Sequence, residues 1–140
     1  MKKLATLVAV LAGITLSGTA FAASGSYASD AYSPPIYAPN SWYITNFPIV
    51  GFVPSTAKLH SRVSYYYTVG TIPRGGRFVA ELCQGNFCVN VTSARRGVTA
   101  AFNGRSATVP LHLRYRINRS SSFSPVAGGR AQVLVNWTTN

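Results

Sequence analysis

Acidic residues are almost absent from this sequence. Two carboxylate side chains, Asp30 and Glu81, stand against 13 lysines and arginines. They lie far apart in the chain, whereas a glycosidase normally needs two cooperating carboxylates. A serine hydrolase would have to use His60 or His112 with Asp30, and the sequence has no G-x-S-x-G nucleophile pattern. Because so few groups can transfer protons, we predict a binding protein rather than an enzyme, with no cofactor.

Long hydrophobic runs are also scarce, and the one present lies at the N-terminus. Lys2 and Lys3 precede an uncharged run from Leu4 to Leu16, which small residues follow as far as Ala22. A membrane-spanning helix needs about 20 apolar residues, so this run favours a cleaved secretory signal peptide, residues 1–22. We therefore expect residues 23–140 to form one exported domain without a membrane span. Its 11 basic and two acidic residues would give a net charge near +9.

Cysteine is limited to Cys83 and Cys88, with four residues between them. A structural zinc site needs four ligands, and the chain offers no cluster of histidines to complete one. A thioredoxin-like redox motif has two intervening residues, not four. In an exported protein, a lone cysteine pair predicts a disulfide.

A hairpin centred on Gly85-Asn86 would place the two cysteines opposite each other. Glycine at the first central position suits a two-residue type II′ turn. The resulting pairs are Gln84 with Phe87, Cys83 with Cys88, Leu82 with Val89, Ala80 with Val91, and Phe78 with Ser93. In this register one face is apolar and the other is mostly polar. Cys83 and Cys88 then form a non-hydrogen-bonded pair, whose Cα separation lies within disulfide range.

Alternating apolar residues predict further short strands separated by glycine-rich turns. We place them at Lys58–Val69, Gly97–Asn103, Val109–Ile117 and Ala131–Trp137, with another near Trp42–Ile44 or Ile49–Val53. The predicted fold is all-β: a small antiparallel β-sandwich, immunoglobulin-like or related, with one hairpin disulfide. A partly open barrel is the alternative. Residues 23–40 show little pattern and are interpreted as an irregular N-terminal arm.

Basic residues on the outward positions of the late strand form the candidate binding surface. Its members, with neighbours that would join if the strands are adjacent, are His112, Arg114, Arg116, Arg119, Arg95, Arg96 and the outward-facing Tyr66. Such a surface would attract anionic partners. A purely solubilising outer face is the alternative interpretation. Tyr65 and Tyr67 share the apolar face and are predicted to lie in the core, whereas the tyrosines of the arm are predicted to be exposed.

Four short motifs follow one another in the second half of the chain. They are LC-x4-CV, a Pro-Leu start to a strand, Gly-Gly-Arg, and QV-x-VN-aromatic, represented by Leu82, Cys83, Cys88, Val89, Pro110, Leu111, Gly128, Gly129, Arg130, Gln132, Val133, Val135, Asn136 and Trp137. A Gly-Ser-aromatic start at 25–27 aligns more loosely. With the N-terminal leader, this ordered set resembles the flagellar protein FlhE family, small periplasmic proteins of Gram-negative bacteria.

The resemblance implies a compact β-sandwich and a non-enzymatic periplasmic accessory role in flagellar assembly or export. That role would be chaperone-like or regulatory and linked to swarming motility. The implied partners are flagellar rod, hook or export-apparatus proteins, with anionic envelope components as further candidates. No catalytic residues carry over, and Cys83 and Cys88 transfer as a structural pair.

Two functions of other classes remain open from the sequence. One is an extracytoplasmic module that binds envelope or cell-wall glycan through tyrosines and arginines, and the other is a cationic antimicrobial protein. Nucleic acid is not an expected partner, because the chain would be exported and shows no recognition motif.

Overall fold

The computed structural model describes residues 23–140, and every regular element in that range is a β-strand. The predicted signal peptide, residues 1–22, lies outside the described residues. The strands are β1 (Ser24–Tyr32), β2 (Tyr43–Phe47), β3 (Lys58–Leu59), β4 (Val63–Tyr66), β5 (Arg77–Gln84), β6 (Phe87–Asn90), β7 (Arg96–Thr99), β8 (Leu111–Asn118) and β9 (Arg130–Thr138). Across residues 23–140 there is no helix long and apolar enough to cross a membrane.

The strands form two antiparallel sheets around one hydrophobic core. The first sheet has the order β1-β9-β4-β7, with β3 also pairing with β9, and the second has the order β2-β8-β5-β6. Every second residue is buried along β8 and along β9 from Ala131 to Val135, so Leu113, Tyr115, Val133 and Val135 meet in the core. This alternation is what half-buried strands require, and it confirms the predicted all-β sandwich.

A series of aromatic rings joins the two sheets. Tyr67 lies 6.5 Å from Tyr65 and 6.1 Å from Phe78, and Phe78 lies 5.9 Å from Tyr115 (ring centroids). The buried hydroxyl of Tyr67 donates a hydrogen bond of 2.8 Å to the carbonyl of Val91. Burial, reinforced by the neighbouring Tyr65, raises the pKa of Tyr67 to about 12. The predicted core position of this tyrosine is therefore correct.

The predicted irregular arm, residues 23–40, is wrong over its first half. Residues Ser24–Tyr32 form β1, which pairs with β9 along its whole length. The inward positions of β1 include Tyr27 and Ser29, so the strand lacks the apolar alternation that marks the others. Tyr27, predicted to be exposed, is only 7% exposed. The strand depends on pairing with distant residues and on the hydrogen bond from the Ser29 hydroxyl to the carbonyl of Pro48.

The cysteine hairpin has the predicted turn and register. Gly85 has a φ of 57°, and Asn86 is not among the described residues with positive φ, as a type II′ turn requires. Gln84 pairs with Phe87, Cys83 with Cys88, and Leu82 with Val89. The pairing of β5 with β6 ends at Glu81 and Asn90, sooner than predicted. Beyond that pair, the Ala80 amide donates a hydrogen bond to the Thr92 hydroxyl, and Phe78 does not pair with Ser93.

Three other strands differ from their predicted extents. The run Lys58–Val69 is split into β3 and β4 near Ser61, which has a φ of 64°. The run Gly97–Asn103 is a strand only as far as Thr99, and a turn then inserts Phe102 into the core. Val109, the predicted first residue of the strand Val109–Ile117, lies before β8 and is exposed. Each departure is caused by a turn that the apolar alternation does not reveal.

Candidate interaction surfaces

The outward positions of β8 form a basic surface on the second sheet. His112, Arg114 and Arg116 alternate with buried residues, as predicted, and we call these three residues the arginine face. They are partly buried rather than fully exposed, because side chains from β2 and β5 lie beside them. Their positions are therefore defined by neighbouring groups and not only by the strand.

Trp42, just before β2, holds both arginines of this face. The guanidinium carbons of Arg114 and Arg116 each lie 4.3 Å from the centroid of a Trp42 ring. Cation–π contacts of this kind stabilise by about 0.5–2 kcal/mol each, depending on desolvation. The Nε atoms of both arginines are shielded from solvent and have no hydrogen-bond partner among the described residues. The stacking orders two long side chains while leaving their positive charge on the surface.

The two arginines differ in how far their charge is offset. Arg114 lies opposite Glu81 on β5, and its Nη2 contacts the Glu81 Oε2 at 3.0 Å. Arg116 has no carboxylate or other hydrogen-bond acceptor within residues 23–140. The uncompensated charge of this face is therefore concentrated at Arg116.

The disulfide lies on the same side of the second sheet as the arginine face, next to His112. Cys83 and Cys88 are bonded, with a Cα–Cα distance of 4.0 Å, and Cys83 pairs across the sheet with His112. The predicted hairpin disulfide is thus confirmed. Burial, and secondly the charge of Arg114, lower the pKa of His112. Its imidazole has no hydrogen bond to a carboxylate in the described part of the chain, so the geometry supplies no partner for general-base chemistry.

One group of side chains has the composition of a metal site but not its chemistry. Potential ligand atoms of Glu81, Cys83 and Cys88 lie within 4.8 Å of one another. The two sulfurs are bonded to each other and so offer no thiolate. The carboxylate is already engaged by Arg114. This cluster is a crosslinked hairpin beside a salt bridge.

Arg119 lies beyond the arginine face, at the end of β8. Its Nη1 donates 3.3 Å to the carbonyl of Ser122, and its backbone amide donates to the side chain of Asn40. The guanidinium lines a wide, polar depression between loops, together with Thr71 and Phe123. Arg119 is therefore near the arginine face in the chain but belongs to the loop end of the sandwich.

The remaining predicted surface residues lie on or beside the first sheet. Tyr66 on β4 is paired with Arg96 on β7, and the Arg96 guanidinium carbon lies 5.3 Å from the tyrosine ring centroid. Arg95 precedes β7, and its Nη1 donates 2.9 Å to the carbonyl of Val69. Because the two sheets enclose a shared core, their outer sides point away from each other. The seven predicted residues thus do not share one surface: the arginine face and the Tyr66–Arg96 pair lie on opposite outer sides, and Arg95 and Arg119 lie beside loops.

Sequence reasoning missed the groups that organise these regions. Trp42 was assigned only to a possible strand, and the opposition of Glu81 to Arg114 was not predicted. If the β2–β8 register is continued one residue beyond the Tyr43–Tyr115 pair, Trp42 lies opposite Arg116. A correct prediction of where β2 begins and of its partner strand would therefore have revealed the Trp42–Arg116 contact. Val98 lies in the predicted strand Gly97–Asn103, and its exposure at the edge of the first sheet was not predicted.

Comparison with known proteins relates this geometry to one family. A family model described as flagellar protein FlhE matches residues 18–138, which is most of the chain. The chain belongs to the FlhE family. The resemblance predicted from the four ordered motifs is therefore confirmed. No curated protein matches the chain significantly.

A solved FlhE structure has the same fold. The crystal structure of FlhE aligns with a TM-score of 0.70 and 18% sequence identity, covering 81% of this chain and 96% of the FlhE chain. At this identity the likeness establishes the fold alone. The FlhE family assignment connects the chain with the flagellum, whereas the role of each surface has to be argued from its own geometry.

Proposed function

We propose that this protein is a non-enzymatic, periplasmic accessory of flagellar assembly or export. It acts by binding a rod, hook or export-apparatus protein, in a chaperone-like or regulatory manner that supports swarming. Membership of the FlhE family supports the flagellar connection. The low-acid composition, with Asp30 and Glu81 both in ion pairs, supports binding rather than catalysis.

The observation that carries the proposal is the double stacking of Arg114 and Arg116 on Trp42. Ordered guanidinium groups lose little entropy on binding and can form bidentate contacts with carboxylates. Arg116 is the member of the pair without a carboxylate partner in residues 23–140. The arginine face is therefore suited to an acidic protein surface. The Trp42 ring is occupied by the two guanidinium groups, so its stacking on a sugar is not favoured.

Gene deletion in the source organism tests the flagellar role. We expect swarming to be lost, or filaments to lie wrongly within the envelope, and the cloned gene to restore the normal state. Normal flagella and normal motility in the deletion strain would refute the proposal. Imaging of filament position and a swarming assay measure the two effects independently.

Complementation variants then test the arginine face itself. Arg116→Gln removes the uncompensated charge and leaves the Glu81–Arg114 salt bridge in place. Arg74→Gln, in an exposed turn, is the matched control with the same change of charge. We expect Arg116→Gln to complement poorly and Arg74→Gln to complement fully. Equal complementation by both, at equal protein levels, would exclude the arginine face as the contact surface.

A further inference from the structure

The first sheet ends in a short exposed strand beside a groove. Strand β7 is the last strand on its side of the sheet, next to β4. A groove of about 320 Å³ runs along the outer surface there. Its walls include Ser64, Tyr66, Arg96, Val98, Gln132 and Leu134. We call this feature the edge groove.

The backbone of β7 leaves hydrogen-bonding groups available at this edge. The Tyr67 amide donates to the Arg95 carbonyl at 2.9 Å, which fixes the alternation of hydrogen-bonded pairs between β4 and β7. Gly97 then bonds to β4, whereas the N–H and C=O groups of Arg96 and Val98 point away from it. No other strand of residues 23–140 pairs with that side of β7. Exposed groups in this arrangement are a template for an added strand.

Apolar side chains lie in one row beside the free edge. Val98 is 54% exposed and Leu134 is 42% exposed. Both are cross-strand partners of Ser64, whose small side chain separates them and leaves the groove open. A strand added to β7 would place one side chain next to Val98, in line with this row. An apolar residue at that position would cover exposed apolar surface.

The neighbouring row of cross-strand partners indicates which charge the added strand should carry. This row consists of Asp30, Gln132, Tyr66 and Arg96. Arg96 stacks on Tyr66 and has no carboxylate partner among the described residues. The acidic residue of this row, Asp30, lies three strands away, roughly 14 Å at the usual strand spacing. Asp30 is already engaged by Gln132 at 2.8 Å and by Arg130 at 3.7 Å. The charge of Arg96 is therefore free for a partner.

A second copy of this chain is a poor occupant of the edge. Antiparallel pairing of two β7 strands about Gly97 would place Arg96 of one copy opposite Val98 of the other, so neither copy offers a carboxylate to Arg96. Each chain also carries a strongly positive net charge. Two chains of the same strongly positive charge repel each other. An extended segment with a carboxylate near Arg96 avoids this repulsion.

We infer that β7 binds an extended segment of a partner protein as an added strand, with an apolar residue opposite Val98 and a carboxylate opposite Arg96. This inference rests on the proposed binding role and specifies how a partner is held. Strand addition draws its affinity from backbone hydrogen bonds and its specificity from alternate side chains. The arginine face, on the other sheet, remains available for a second contact.

The direct test uses Val98→Pro, with Val98→Thr as the matched control. Proline removes the outward N–H, and it spares the bonds to β4 because the Val98 amide does not donate to that strand. The preceding residue is Gly97, which tolerates the restriction that proline imposes. Val98→Thr keeps the N–H and a β-branched side chain. Thermal melting of both variants checks that the fold is retained.

The probe is a capped synthetic peptide with the repeat Val-Thr-Glu-Thr, which places valine and glutamate two positions apart on one face of the added strand, as Val98 and Arg96 are on β7. Its charge control has lysine in place of glutamate. We expect the glutamate peptide to bind the purified exported chain with a Kd below about 1 mM, and Val98→Pro to weaken it about tenfold or more. Amide exchange measured by NMR should slow at Arg96 and Val98 on binding. Val98→Thr should bind like the wild type, and Arg96→Glu should reverse the preference towards the lysine peptide.

Several results would overturn the inference. They are absence of binding at about 1 mM, equal binding by Val98→Pro, equal binding of the lysine peptide, or protection confined to other strand edges. In cells, full complementation by Val98→Pro of a deletion strain that has a flagellar defect would refute the edge as the contact while leaving the proposed function intact. A deletion strain without any defect would refute the proposed function, and the peptide experiment would still decide the edge.

Discussion

The hairpin disulfide allows a quantitative prediction for the paired substitution Cys83→Ala/Cys88→Ala. The bond joins residues separated by five positions, so loop-closure entropy gives it about 2 kcal/mol of stability. Cys83 is fully buried, and loss of its sulfur adds about 1 kcal/mol through lost packing. For a domain of this size, about 3 kcal/mol lowers the melting temperature by about 12 °C.

Reduction of the wild-type protein separates the two contributions. Dithiothreitol breaks the bond without removing the sulfur atoms, so only the loop-closure part should be lost, a fall of about 8 °C in melting temperature. The alanine variant should be insensitive to the reductant. Strand β6 is an edge strand, and we expect the Val89 amide, which is hydrogen-bonded to Leu82, to exchange faster in both cases.

Calorimetry with and without reductant measures these effects. The Gly85 turn and the buried Leu82 position persist without the disulfide, so the sandwich should still fold cooperatively. A change in melting temperature below about 4 °C would refute the loop-closure argument. Loss of cooperative unfolding in the alanine variant would show that the disulfide specifies the hairpin register and does not merely stabilise it.

Three further predictions concern stability. Tyr67→Phe removes a buried hydrogen bond and should lower the free energy of unfolding by about 1–2 kcal/mol, measured by urea titration. The control Tyr66→Phe changes a partly exposed tyrosine and should lower it by less than about 0.5 kcal/mol. Gly128→Ala would place a Cβ 2.6 Å from a backbone carbonyl oxygen, so we expect a loss of roughly 1–3 kcal/mol in the same assay. The pKa of His112 is lowered by burial and by Arg114, so the unfolded chain binds a proton at this histidine more readily than the folded chain does. The urea midpoint of unfolding should therefore fall as the pH drops below about 6.5. The fall should be smaller in His112→Gln.

Each of these three has a contradicting outcome. Equal stability of the two tyrosine variants would mean that the buried hydroxyl contributes nothing net. An unchanged Gly128→Ala protein would show that the adjacent backbone can move without cost. An identical pH dependence in His112→Gln would assign the acid sensitivity to other groups.

The cysteine hairpin shows how far local sequence can go. A glycine at the first turn position and an alternating pattern on both arms were sufficient to predict the turn type, the register and the disulfide. The outward positions of β8 were predicted in the same way. In these segments each side chain's environment depends on neighbours within a few residues, and the pattern contains the information.

Strand β1 and strand β7 show where local patterns fail. Strand β1 carries Ser29 at a buried position, and its partner β9 lies about a hundred residues away in the chain. Val98 belongs to an apolar pattern but is exposed, because β7 ends the sheet and the chain turns after Thr99. Neither burial nor exposure could be inferred without knowledge of the neighbouring strand.

The sequence by itself determined the all-β class, the disulfide, the basic character and the likeness to the FlhE family. Those properties arise from composition, short-range alternation and ordered motifs. Tertiary structure alone decided that the predicted basic residues do not share one surface, that Trp42 orders Arg114 and Arg116, and that β7 has a free edge. Strand order is set by packing between residues distant in the chain, and it is strand order that decides which outward side chains share a surface.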